Sequence, residues 1–134
     1  MKIKQALLTQ IHQHLEAGYP NEACGVLLGH GNVVSEIARA DNQRDDSAHN
    51  RYLIDPLAYR DIERAADKRA IQVLGIYHSH PDVPARPSQF DLDNAFPNLA
   101  YLIVSVCKGK AVETNSWLLR DDRSQFDQEP IEVL

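Results

Sequence analysis

Residues 71–91 read IQVLGIYHSHPDVPARPSQFD and join an apolar run to two closely spaced histidines. The run 71–77 is rich in β-branched and aromatic residues, which predicts a buried strand. Side chains on a strand alternate between its two faces, so His78 and His80, at the end of this strand, should point the same way. Their Cα atoms would lie roughly 6–7 Å apart, close enough for both imidazoles to bind one ion.

The loop after these histidines leads to a helix start that carries a carboxylate. Pro81, Pro84 and Pro87 rule out regular structure and stiffen the loop. The pattern Ser88-x-x-Asp91 then predicts a helix with Ser88 as N-cap and Asp91 in the first turn. A histidine at a strand end, or a Ser-x-x-Asp cap, is by itself usually structural. Together, two histidines and an aspartate are enough protein ligands for a catalytic zinc with an open fourth position.

The spacing of these residues resembles the signature of a known family. The pattern His78-x-His80-Pro81, then six residues, then Ser88-x-x-Asp91 resembles that of the JAMM (Mov34/MPN/PAD-1) metalloproteases, especially their short stand-alone prokaryotic members. The family pattern also has an upstream glutamate in the context Glu-x-Cys-Gly, which residues 22–25 supply. All five motif positions are filled, and the likeness covers nearly the whole chain.

The residue types at these positions suit metal-assisted amide hydrolysis, and the resemblance assigns them the same roles. Zinc held by His78, His80 and Asp91 would lower the pKa of a bound water to about 7. Glu22 is the expected general base, which later passes the proton to the leaving amine. Ser88 and the zinc are expected to stabilise the oxyanion. We therefore predict a hydrolase with one Zn²⁺ per chain, although iron or nickel could also occupy such a site.

The resemblance also implies a substrate class. JAMM enzymes cleave peptide or isopeptide bonds after the Gly-Gly tail of ubiquitin-like proteins, and some short prokaryotic members act on sulfur-carrier proteins. The spacing from Asp55 to Asp91 leaves little room for the insertions that larger deubiquitinases use to recognise ubiquitin linkages. We therefore expect a sulfur-carrier-type partner rather than polyubiquitin. A homodimer is left open.

Three other functions compete with this interpretation. A non-catalytic MPN-type scaffold for protein interaction has the same fold, but such members typically lose motif residues. A zinc nucleoside deaminase would need His-x-Glu and Pro-Cys-x-x-Cys, and the sequence has neither. A cysteine hydrolase built on Cys24 would need a partner histidine, and none is evident.

Length, charge and cysteine content place further bounds on the function. At 134 residues the chain is long enough for one domain, 1–134, with a real core. A net charge of −5 argues against a nucleic-acid surface. No apolar run approaches the ~20 residues of a membrane span, and the first residues lack the apolar segment of a signal peptide. Cys24 and Cys107 are expected to be buried free thiols. We therefore predict a cytoplasmic protein.

Periodicity predicts alternating helices and strands. Predicted helices cover about 2–17, a segment from Asp55-Pro56 onward, and 89–96; predicted strands cover 23–29, 33–40, 51–54, 71–77, 99–107, 111–120 and an edge segment within 126–134. Loop 41–50 is the predicted substrate flap, and His12 and His14 are expected to be solvated. This order predicts an α+β (mixed α/β) fold. The JAMM resemblance implies a curved mixed sheet flanked by helices, with a cytidine-deaminase-like architecture.

Overall fold

A mixed β-sheet forms the centre of the computed structural model, which describes residues 1–40, 52 and 54–134. The strands in these residues are β1 Lys2–Ile3, β2 Cys24–His30, β3 Val33–Ala40, β4 Gln72–Pro81, β5 Ala100–Cys107, β6 Lys110–Leu119, β7 Phe126–Glu129 and β8 Glu132–Val133. Their spatial order is β7-β6-β5-β4-β2-β3-β1-β8. β4 pairs antiparallel with β2 and parallel with β5. The predicted α+β class and mixed sheet are therefore confirmed.

Helices cover both faces of this sheet. They are α1 Gln5–Gly18, α2 Pro56–Lys68 and α3 Gln89–Asn94. The apolar face of α1 packs against one side of the sheet through buried Leu8, Ile11 and Leu15. α2 covers the other side, where Ala66 packs against Val26 and other residues of the sheet. Within the described part of the chain, no helix has the length and apolar character needed to cross a membrane.

The two faces of β4 pack against different parts of the core. Tyr77 points toward α1 and joins the core on that side, whereas Ile76 joins the cluster on the opposite side with Ala95 and Tyr101. Because side chains alternate along a strand, His78 and His80 continue the face of Ile76. The sheet therefore presents both histidines on the side covered by α2 and α3.

Gly25 lets the Tyr77 ring lie across β2. A Cβ at position 25 would overlap the ring and hydroxyl of Tyr77, which pairs with Gly25 in the β2–β4 register. The Tyr77 hydroxyl is also 2.8 Å from Nδ1 of His14 on α1. The glycine in the Glu-x-Cys-Gly context thus has a packing role next to the predicted base.

The predicted burial is wrong for His12, His14 and Cys107. His12 and His14 are half-buried, not solvated; His12 Nε2 lies 2.8 Å from Thr114 Oγ1 on β6, and burial lowers the pKa of His12. Cys24 and Cys107 are both free thiols, as predicted, but only Cys24 is fully buried.

Element boundaries differ from the prediction in several places, among them the end of β4, which continues to Pro81 and does not stop at residue 77. Lys2 and Ile3 form β1, paired with β3 and β8, so the first helix begins at Gln5 and not near residue 2. Neither Tyr52 nor Ile54 is in a strand, and residues 51 and 53 of the predicted strand lie outside the described residues, as does loop 41–50. α3 ends at Asn94, two residues before the predicted end.

Candidate active site

Four buried polar side chains meet beside β4 on the face covered by α2 and α3. They are Glu22, His78, His80 and Asp91, which are between 0% and 6% exposed. Charged groups are rarely buried to this degree unless they are paired or bind a metal. Each of these four side chains therefore needs a hydrogen-bond partner, an opposite charge or a metal ion.

The two histidines lie within β4 and not beyond its end, because the strand continues to Pro81. Pairing with β2 on one side and β5 on the other holds the backbone at His78. Their Nε2 atoms are 3.2 Å apart, so both rings converge on one point, as their spacing predicted.

Asp91 reaches the histidines from the first turn of α3. Its backbone N–H donates to Ser88 Oγ at 3.1 Å, and its Oδ2 accepts from the Ser88 N–H at 2.8 Å. This reciprocal capping box is the predicted helix start. It leaves Asp91 Oδ2 3.1 Å from His80 Nε2 and Oδ1 3.4 Å from His78 Nε2.

Glu22 is brought in from a distant part of the chain by Ser79. The residue between the two histidines donates its backbone N–H to the Ala23 carbonyl at 3.0 Å, and its Oγ accepts from the Ala23 N–H at 2.9 Å. These two bonds extend the β2–β4 pairing to the residue next to Glu22. A carboxylate oxygen of Glu22 and one ring nitrogen each of His78 and His80 lie within 4.8 Å of one another.

The side chains in this cluster fit a zinc ion. His80 Nδ1 lies 2.9 Å from the Pro84 carbonyl, so it is the protonated nitrogen and Nε2 keeps a lone pair. That lone pair faces an Asp91 oxygen, which is also an acceptor, and His78 Nε2, which is an acceptor as well when His78 carries its proton on Nδ1. Ligand atoms on a tetrahedral zinc with bonds of about 2.1 Å lie about 3.4 Å apart. The separations of 3.1 to 3.4 Å among His78, His80 and Asp91 match that geometry.

Without a metal, the electrostatics of the cluster favour a neutral His78 and an ionised Asp91, but they favour a proton on His80. Burial lowers the pKa of His78 and outweighs the attraction of Asp91. Burial also opposes the charge on Asp91, but the neighbouring histidines and the Ser88 N–H hold its pKa below the ordinary value. For His80, the effect of burial is exceeded by its interaction with Asp91, which raises its pKa. A metal ion would therefore find an ionised carboxylate and a neutral His78, and would displace a proton held at His80.

Tyr52 covers the cluster from the outside. Its ring stacks on His78 with the centroids 4.4 Å apart and the planes at 26°. Among the described residues, His78 Nδ1 has no hydrogen-bond partner. Sequence reasoning missed Tyr52, because an aromatic residue in a short apolar segment is usually part of the core.

An apolar cavity of about 370 Å³ opens beside Asp91. Aromatic side chains form much of it, including Tyr59 and Phe96, whose rings are stacked with centroids 5.7 Å apart. The cavity is lined by Tyr52, Ile54, Pro56, Tyr59, Ile76, Phe90, Asp91, Asn94 and Phe96. Because Asp91 and Tyr52 both contact the cluster, the cavity and the candidate metal centre form one continuous site.

The sequence of this chain is similar to a known protein family and to two named proteases. The family model described as prokaryotic homologs of the JAB domain matches residues 4–120. A Thermus thermophilus protein named as a probable TtuB-protein conjugate cleaving protease is 33% identical over 101 residues, which are 75% of this chain and 67% of that protein. A desampylase from Haloferax volcanii is 30% identical over 105 residues, 76% of this chain and 75% of that protein.

A solved structure shares the fold. It belongs to a JAB1/MPN domain protein from Archaeoglobus fulgidus, with a TM-score of 0.64 and 21% identity over 100% of this chain and 99% of that one. At this identity the likeness concerns the fold alone. The curved mixed sheet and its helices are therefore a JAB1/MPN fold.

Proposed function

This chain belongs to the family of prokaryotic homologs of the JAB domain, and from that membership we propose that it is a zinc-dependent peptidase or isopeptidase. In this proposal it hydrolyses the amide bond after the C-terminal Gly-Gly of a ubiquitin-like or sulfur-carrier protein. One observation carries the proposal: His78, His80 and Asp91 converge at zinc-ligand separations with Glu22 beside them. The names of the two curated relatives, a conjugate-cleaving protease and a desampylase, support the substrate class.

The residues of this site divide the work of hydrolysis between them. His78, His80 and Asp91 would hold the zinc, which, when bound, supplies Lewis-acid polarisation and acidifies water. Glu22 accepts a proton from the attacking water and delivers it to the nitrogen of the departing amine. The water oxygen bonds to the carbonyl carbon and the carbon–nitrogen bond breaks, so the products are a carboxylate and an amine. No side chain forms a covalent intermediate.

Ser88 and the apolar cavity complete the proposed site. The Ser88 hydroxyl accepts from the Asp91 N–H, which leaves its own hydrogen available for the carbonyl oxygen as negative charge develops there. The cavity beside Asp91 offers an apolar wall to the polypeptide that flanks the scissile bond.

A chelation assay tests the proposal and separates it from its rivals. The substrate is a sulfur-carrier protein extended by one residue after Gly-Gly, and cleavage is followed before chelation, after chelation and after zinc is restored. We expect activity to be lost on chelation, to return with zinc and to resist iodoacetamide. Chelator-resistant activity that iodoacetamide abolishes in the wild-type protein and in Cys107→Ser would assign the reaction to Cys24. Carrier binding without cleavage under all conditions would support the non-catalytic scaffold.

Ser88→Ala should fold and bind zinc but lose most of its activity. Removal of one oxyanion donor costs about 10²–10³ in kcat in a studied protease, and the lost helix cap costs about 1 kcal/mol of stability. Ser88→Thr keeps both the hydroxyl and the cap, so it should retain activity. Full activity of Ser88→Ala at a lowered melting temperature would limit Ser88 to capping.

Phe96→Ala should raise KM and leave kcat nearly unchanged. The Phe96 side chain is 52% exposed at the cavity, and burial of half a phenylalanine by substrate contributes about 1 kcal/mol, or about fivefold in KM. Leu118→Ala is the matched control, because Leu118 is 45% exposed but does not line this cavity. Equal KM values for both variants and the wild-type protein would exclude the cavity from substrate binding.

A further inference from the structure

The loop that joins the candidate metal ligands is held by side chains from a neighbouring strand. Residues 81–88, here named the ligand loop, run from the end of β4 to the N-cap of α3 and so connect His80 to Asp91. With three prolines the loop has few backbone donors of its own. One backbone bond lies within the loop, from the Arg86 N–H to the Pro84 carbonyl at 2.8 Å, and the side-chain contacts that hold the loop against the sheet come from outside it.

Ala85, the middle of the ligand loop, has both of its backbone polar groups bound by β6. Its N–H donates to Glu113 Oε1 at 2.9 Å. Its carbonyl accepts from Asn115 Nδ2 at 3.2 Å and from Trp117 Nε1 at 3.1 Å. Residues 113, 115 and 117 alternate along β6, so their side chains share one face. Ala85 is fully buried beneath them.

The loop is also held on the other side of Pro84. Ser105 Oγ on β5 donates to the Val83 carbonyl at 2.6 Å. Asp82 accepts from the Lys108 N–H at 2.9 Å and from the Tyr19 hydroxyl at 2.6 Å. Pro84 therefore lies between two anchored residues, and its own carbonyl is the acceptor for His80 Nδ1.

We propose that Glu113, Asn115 and Trp117 are positioning residues for the metal centre. By holding Ala85 they fix the Pro84 carbonyl, which keeps the His80 proton on Nδ1 and its Nε2 free to bind metal. They also fix the approach to Ser88, and hence the place of Asp91. Histidine ligands of metals commonly donate their second ring N–H to a carbonyl or carboxylate, and such partners tune metal affinity. The inference rests on the metal site of the proposed function but not on its substrate.

The strand does not need these three contacts for its own pairing. β6 is held by a backbone ladder to β5 and to β7. Loss of the side-chain contacts should therefore free the loop without unpairing the strand. A purely structural role would lower stability alone, whereas a positioning role also lowers metal affinity.

The test compares zinc affinity, measured by competition with a chromogenic chelator, between matched variants. Asn115→Asp keeps the acceptor oxygen that binds Gln128 Nε2 at 3.0 Å but loses the N–H group that reaches Ala85. Trp117→Phe keeps an aromatic ring but loses its donor. We expect the double variant to bind zinc about 10-fold or more weakly, in the range found when outer partners of metal ligands are removed. Val112→Ala, also on β6 and 61% exposed, should match the wild-type affinity.

If the double variant does not fold, variants of Glu113 still test the inference, because Glu113 is exposed and its substitution should leave the fold intact. Glu113→Gln retains an oxygen acceptor for the Ala85 N–H and should bind zinc like the wild-type protein, whereas Glu113→Ala should bind it about 10-fold more weakly. Wild-type zinc affinity in Glu113→Ala, or in a folded double variant, would overturn the inference. Turnover measured on the same samples separates the two proposals. If the wild-type protein cleaves no carrier but the variants still bind zinc more weakly, this inference stands and the proposed substrate is wrong.

Discussion

Glu22→Gln should lower the rate of amide cleavage by at least about 10²-fold, since general-base catalysis typically contributes about 10²–10⁴. Glutamine keeps the shape of the side chain and can still donate or accept a hydrogen bond, but it cannot take the proton of the attacking water. The effect should appear in kcat, because in the proposed mechanism Glu22 acts on the reacting atoms and not on substrate binding. The variant should therefore still bind its carrier and could trap the complex.

Zinc content measured on the same preparation separates the roles open to Glu22. If Asp91 is the third ligand, Glu22→Gln should contain as much zinc as the wild-type protein. Lost zinc would instead make Glu22 a ligand, which its place within 4.8 Å of both histidine nitrogens allows. Near-wild-type turnover with zinc in place would remove Glu22 from the mechanism. Glu63→Gln on the exposed face of α2 is the control and should change neither quantity.

His80→Ala should abolish stoichiometric zinc binding and, with it, cleavage. Nε2 of His80 is 3.2 Å from His78 Nε2 and 3.1 Å from Asp91 Oδ2, so its loss removes one donor from the centre of the cluster. The loss of zinc affinity should exceed the ~10–100-fold that follows removal of an outer partner. His30→Ala is the control, because His30 is an exposed histidine at the β2–β3 turn. A His80→Ala protein that keeps one zinc per chain, measured by elemental analysis, would contradict the ligand assignment.

Much of the candidate metal centre could be predicted because its parts are close in sequence. Alternation along β4 placed His78 and His80 on one face, and the N-cap pattern placed Asp91 in the first turn of α3. Both are local rules that need no knowledge of the fold. Glu22 is different: its local sequence demands no carboxylate, and only the family pattern selected it. The structure supplies the physical reason, which is the pair of hydrogen bonds between Ser79 and Ala23.

The features that the sequence did not reveal are long-range contacts. β1 is two residues long, and its pairing with β3 and β8 leaves no periodic pattern to detect. His12 and His14 lie within the amphipathic helix α1, and its periodicity does not show which side chains have partners elsewhere. Their partners lie on β6 and β4. The contacts of β6 with Ala85 depend on where the ligand loop crosses the sheet. Such contacts depend on tertiary packing, which residue spacing alone does not specify.

The most direct measurement is the mass of the products released from a carrier protein that ends in Gly-Gly and one further residue. The zinc-loaded protein should release that residue and leave a carrier that ends at the second glycine, with one water added across the cleaved bond. The chelated protein should leave the substrate intact. An unchanged carrier mass with zinc bound to the protein, or cleavage at any other bond, would contradict the proposal that this site hydrolyses the amide after Gly-Gly.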